Sequence, residues 1–85
     1  MTAYWYMECP VCHQGMLLIE RDKRDDLLYL HCDECEFGWR DPELAHEPNA
    51  GFQTILGGFD FEIVSAEKID AAGWGKYRLH SFEVQ

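Results

Sequence analysis

Four cysteines are the residues of this chain best placed to do chemistry. They come as two pairs, Cys9-Pro10-Val11-Cys12 and Cys32-Asp33-Glu34-Cys35, separated by the nineteen residues His13 to His31. Two residues between cysteines allow a tight turn that aims both sulfurs at one ion, and two such turns supply a tetrahedron of thiolates. That spacing is the pattern of a zinc site, and four protein ligands close it, with no position left for water or substrate. The expected ligands are therefore Cys9, Cys12, Cys32 and Cys35, holding one structural Zn²⁺ per chain.

Rival uses of these cysteines are weaker. Disulfides suit secreted chains, but Met1 to Met7 has neither a basic start nor a long apolar stretch, which predicts a reducing, cytoplasmic location. Thioredoxin-like redox chemistry calls for one Cys pair at a helix start, not two pairs flanking a hairpin. The histidines His13, His31, His46 and His80 are not needed as ligands once four thiolates fill the tetrahedron.

The elements that must position the pairs are short. Met16 to Arg21 and Leu27 to His31 are apolar runs bracketing the polar turn Asp22-Lys23-Arg24-Asp25-Asp26, and Glu36 to Arg40 can add a third strand. Asp41-Pro42-Glu43 reads as a brief helix start, cut short by Pro48. Phe59, Phe61 and Ile63 alternate with acids, as in a short extended segment. Ser65 caps a helix through Ala72, with Gly73 as the left-handed stop. A tail bearing Trp74, Tyr77, Leu79 and Phe82 follows. At 85 residues the chain predicts one domain over 1–85, with a metal unit at 9–40 and an extension at 41–85 packed on it. The extension's rings (Phe52, Phe59, Phe61, Trp74, Tyr77, Phe82) are expected to cover a face of the metal unit bearing Tyr29, Phe37 and Trp39. A core this small gains from a metal staple.

The stretch Cys9 to Trp39 resembles the zinc ribbon family. It shares Cys9-Pro10-x-Cys12, Cys32-x-x-Cys35 and an aromatic four residues past the last cysteine, Trp39, as in ribbons of the transcription elongation factor type. The resemblance covers about a third of the chain and implies a three-stranded antiparallel sheet capped by zinc, within a small α+β metal-stabilised domain. Ribbon knuckles often carry Gly after the second cysteine; here those positions are His13 and Glu36. Rubredoxins, the iron-binding electron carriers that rival this reading, rely on the same glycines. The layout, ending its helix in Ala71-Ala72-Gly73-Trp74, is also similar to small acidic bacterial ribbon proteins, some of them immunity proteins whose partner is a basic nuclease.

Charge bounds the function. The formal charge is −9, and four thiolates on a dication make it more negative. Neither half is basic: residues 1–40 carry eight acids against four bases, and 41–85 eight against three. Phosphate binding needs clustered Lys and Arg, so direct nucleic-acid binding is not expected, and the apolar runs are too short for a membrane span. A basic protein partner is the electrostatic complement. With no phosphate loop or nucleophile motif, the expectation is a non-enzymatic protein–protein interaction module, immunity- or antitoxin-like. The alternative is a transcription-associated ribbon on RNA polymerase. There the tip pair Asp25-Asp26 would resemble the acidic pair of cleavage-stimulating factors, against the ordinary reading of a solvated turn.

Overall fold

A computed structural model of the chain describes residues 1–58 and 60–84. Among these, strands β1 (Thr2–Glu8), β2 (Met16–Asp22), β3 (Leu27–Cys32), β4 (Phe37–Trp39), β5 (Phe52–Gln53), β6 (Phe61–Ile63) and β7 (His80–Glu83) form a seven-stranded antiparallel sheet. One helix, α1 (Ala66–Ala71), lies between β6 and β7, and single 3-10 turns occupy Pro42–Leu44, Pro48–Ala50 and Gly75–Tyr77. This is a small α+β architecture. The strand order is β5-β4-β3-β2-β1-β7, with β6 also paired to β2.

The three strands expected of the metal unit are present as β2, β3 and β4, but they are the middle of a larger sheet. β2 and β3 pair along their whole length, from Leu17↔Cys32 to Asp22↔Leu27. The turn between them is closed by Asp26 N–H donating to Asp22 O at 2.8 Å, with Asp26 itself at φ +62°. α1 is capped as its sequence indicates: Ser65 Oγ accepts from Lys68 N–H at 3.3 Å, and Gly73 stops it at φ +81°. Asp41 accepts from Glu43 N–H at 3.0 Å to open the first 3-10 turn. Phe59 of the predicted extended segment lies outside the described residues; Phe61 to Ile63 are in β6.

Side chains opposite one another in register share a face. Leu30↔Trp39 and Leu17↔Cys32 put the apolar core on one face. There Leu17, Ile19, Leu30, Cys32 and Trp39 pack with Val64, Ile69, Tyr77 and Ala45. Trp39 is fixed by donating its indole N–H to Glu47 O at 3.0 Å. His31↔Gly38 and Glu20↔Tyr29 define the opposite face. The expected single ring-bearing face is thereby corrected. Phe37 and Trp39 share one face, Tyr29 sits on the other, and strand alternation forbids anything else.

The extension's rings divide accordingly. Tyr77 joins the core and Trp74 packs against it, whereas Phe61 lies 5.0 Å from the His31 ring on the far face. Phe61 and Phe82 remain 49% and 38% exposed, so they are not the core rings expected of them. No helix among the described residues is long and apolar enough to cross a membrane.

Candidate metal centre

The structure brings together all four predicted ligands. The sulfurs of Cys9, Cys12, Cys32 and Cys35 lie within 4.8 Å of one another, at the end of the sheet where the β1–β2 and β3–β4 connections meet. Cys9 and Cys32 are buried and Cys12 and Cys35 half-buried. The shortest separations are Cys12–Cys32 at 3.6 Å and Cys9–Cys35 at 3.7 Å. A disulfide would need about 2.0 Å. A tetrahedron with metal–sulfur arms of about 2.3 Å has edges of about 3.8 Å. The two shortest separations match those edges, the four sulfurs are close enough together to share one ion, and the donor set fits zinc.

Each Cys pair is folded by the same local bonds. His13 N–H donates to Cys9 O at 3.1 Å, and Glu36 N–H donates to Cys32 O at 3.3 Å, closing two equivalent turns. Backbone N–H groups aim at the sulfurs: Val11 to Cys9, Gly15 to Cys12, and both Glu34 and Cys35 to Cys32, each at 3.4 Å. Such donors favour the thiolate that a metal requires. Bonds from Gln14 and Gly15 N–H bring the Cys12 thiol down to about 7. Burial pushes the thiols of Cys32 and Cys35 up, so without a metal both hold their protons. Gly15 has a steric reason to be there. A Cβ on it would lie 2.5 Å from Cys32 Sγ and 2.7 Å from Asp33 Oδ1.

His13 and Glu36 each follow the second cysteine of a pair, and both adopt the left-handed backbone that favours glycine, with φ of +57° and +67°. The knuckle geometry is kept despite the missing glycines. Their absence therefore does not separate zinc from iron, and that part of the case against a rubredoxin-like site falls. Each side chain has a partner: His13 Nδ1 is 3.5 Å from a Glu8 oxygen, and Glu36 Oε2 is 2.6 Å from His31 Nε2.

None of the histidines joins the thiol cluster among the described residues. His31 sits on the face opposite Cys32, held between two carboxylates, with Nδ1 also 2.6 Å from Glu20 Oε1. Burial works against its cation, but the bonds to Glu20 and Glu36 outweigh this and raise its pKa. His46 meets the edge of Tyr6, and His80 stacks on Trp5 at 4.0 Å.

The buried polar layer on the Tyr29 face was not foreseen. Glu20 and Asp22 are 2% and 0% exposed. Asp22 receives Arg24 at 2.8 Å and Arg40 at 3.2 Å, and the Arg24 guanidinium holds its carboxyl down to about 2. The signal was faint: Glu20, Arg21 and Asp22 end an apolar run in a polar cluster, which marks a turn and not a buried layer. Residues 54–58 and β6 fold over that face, with Thr54 against Gly38 and Arg24 donating to Gly57 O at 2.8 Å.

The tip carboxylates are also engaged. Asp25 meets Arg40 at 2.8 Å and Asp26 meets Arg21 at 2.6 Å. Comparison with protein-family models, curated proteins and solved structures returns no match to this chain. The likeness to zinc ribbons therefore rests on the cysteine pattern and its geometry alone.

Proposed function

We infer that this chain is a non-enzymatic zinc-binding module that presents an acidic surface to a basic protein partner, in the manner of an immunity or antitoxin protein. The observation that carries the metal half is the set of four sulfurs close enough together to share one ion. Four thiolates saturate the ion, so its work is to fix the two knuckles and supply folding free energy. The partner half rests on the formal charge of −9 over 85 residues. The polymerase-binding alternative draws less support, because Asp26 is tied to Arg21 of β2 and Asp25 to Arg40 just past β4.

The test is affinity capture from source cells with mass spectrometry, followed by stopped-flow association with the purified partner. The reading expects a protein with basic contact surface whose on-rate falls steeply between about 50 and 500 mM salt. Tight binding of DNA or RNA by the isolated chain, or a salt-independent on-rate, would overturn it.

A further inference from the structure

The sheet forks on one side of β2. β1 meets β2 near the metal end, through Trp5↔Leu18 and Glu8↔Met16. β6 meets the same edge nearer the hairpin tip, through Glu20↔Ile63, Arg21↔Glu62 and Asp22↔Phe61. Continuing the β1 register would set Ala3 opposite Glu20, where Ile63 already sits. Thr2 and Ala3 accordingly leave β2, and residues 2–4 have their register partners on β7, through Thr2↔Glu83, Ala3↔Phe82 and Tyr4↔Ser81.

Antiparallel pairing alternates bonded and non-bonded positions, so parity shows where the remaining peptide groups point. Val84 N–H donates to Met1 O at 2.8 Å, in the same register. Met1, Ala3 and Trp5 are then the positions bonded to β7; the N–H and C=O of Thr2 and the N–H of Tyr4 face away from β7, into the fork, while by the same parity the Tyr4 C=O turns to β2 beside the Trp5↔Leu18 pair. On the other arm, Lys23 N–H donates to Asp60 O at 2.7 Å. Asp60 and Glu62 are thus the positions bonded to β2, and the peptide groups of Phe61 and Ile63 face outward. An open cleft of about 390 Å³ lies between the arms, with Thr2, Tyr4, Ile63, Val64, Ala66 and Glu67 among its lining residues.

We propose that this fork is a strand-addition site for an extended segment of a basic protein. The proposal rests on the partner reading above and names the surface that serves it. Two facing strand edges offer backbone donors and acceptors, which supply affinity in strand addition, while a pocket for alternate side chains supplies selectivity. Tyr4, Ile63, Val64 and Ala66 suit one apolar side chain. Glu67, which makes no ion pair among the described residues, suits Lys or Arg beside it, whereas Glu83 at the Thr2 end is held by the Met1 ammonium at 3.6 Å. Charge selects this occupant over a second copy, which would bring −9 against −9, and over an anionic lipid or nucleic acid.

The probe is a labelled, end-blocked Lys-Val-Arg-Val-Lys-Val peptide, titrated into the metal-loaded chain and followed by amide NMR. The controls are the same peptide N-methylated at alternate residues and a Glu-Val analogue. Binding should move the amides of Thr2, Tyr4 and Ile63 together, and N-methylation should weaken it about tenfold, roughly the loss of one hydrogen bond. Ile63→Pro deletes a fork donor but no ladder bond, and should weaken the peptide several-fold while the metal site's Co²⁺ spectrum is unchanged. Shifts confined to other acidic patches and indifferent to N-methylation would sink the fork and leave the basic-partner reading standing. No binding at millimolar peptide, or self-association through these amides, would also sink the fork. Equal binding of the Glu-Val peptide would remove both readings.

Discussion

Replacing His13 and Glu36 by glycine, one at a time, separates backbone strain from side-chain contact at two equivalent positions. Both residues follow the second cysteine of a pair and hold φ near +60°. Left-handed backbone costs an L-residue about 1–2 kcal/mol, and glycine returns about 0.4–1 kcal/mol of that through the freer unfolded chain. His13 has little else to lose. Its contact with Glu8 is 3.5 Å long between side chains that are 69% and 66% exposed, and such pairs contribute a few tenths of a kcal/mol. His13→Gly should therefore stabilise by about 0.5 kcal/mol. Glu36→Gly gains the same relief but strips His31 of its 2.6 Å carboxylate contact, on a ring only 4% exposed. A charge-assisted bond of this kind contributes about 1.5–3 kcal/mol, so the net loss should be about 1–2 kcal/mol. Urea melts at fixed free metal and under reduction, with a slope of about 1 kcal/mol per M, should show midpoints raised by about 0.5 M and lowered by about 1–2 M. Equal losses at the two positions, or a gain at both, would refute this division of labour between the knuckles.

Gly15→Ala should impair the centre without touching a ligand, because its Cβ would lie 2.5 Å from Cys32 Sγ. A chelator competition should show metal affinity at least about tenfold weaker. Metal affinity should also fall with acid. Burial keeps the Cys32 and Cys35 thiols protonated in the metal-free chain, so uptake must expel both protons; calorimetry in buffers of different ionisation enthalpy should count two or more per ion. Cutting after His46 removes Val64, Ile69 and Tyr77 from the Trp39 face. The 1–46 fragment should lose cooperative unfolding or aggregate, and a well-behaved fragment with an unchanged melting point would show that the two parts are independent.

How much was legible depended on how local the signal was. The cysteine spacing reports a turn of a few residues, and all four sulfurs converge as read. β2, β3 and β4 were visible because polar turn residues bracket apolar runs, and α1 because Ser65 and Gly73 mark its ends. β1 and β7 were not foreseen as strands. Thr2–Glu8 has no turn signal before it, and His80–Glu83 is short and exposed; their pairing joins residues about 80 apart. The burial of Glu20 and Asp22 was not legible for the same reason. The strand period gives β2 two faces, but only the distant residues 54–58 and β6 decide that the face bearing Glu20 and Asp22 is covered. The left-handed residues at His13 and Glu36 are where local rules were outweighed. The need to aim two sulfurs fixes the backbone there whatever side chain it carries.

The central claim is that Cys9, Cys12, Cys32 and Cys35 close around one zinc ion. Native mass spectrometry of the chain purified under reduction from unsupplemented cells, with elemental analysis of the same sample, tests it most directly. The account predicts one Zn²⁺ per chain and four cysteines that resist alkylation until the metal is removed, whereupon the chain unfolds. A folded, metal-free chain with four alkylated thiols, or a red protein carrying iron that cycles reversibly between redox states, would contradict it.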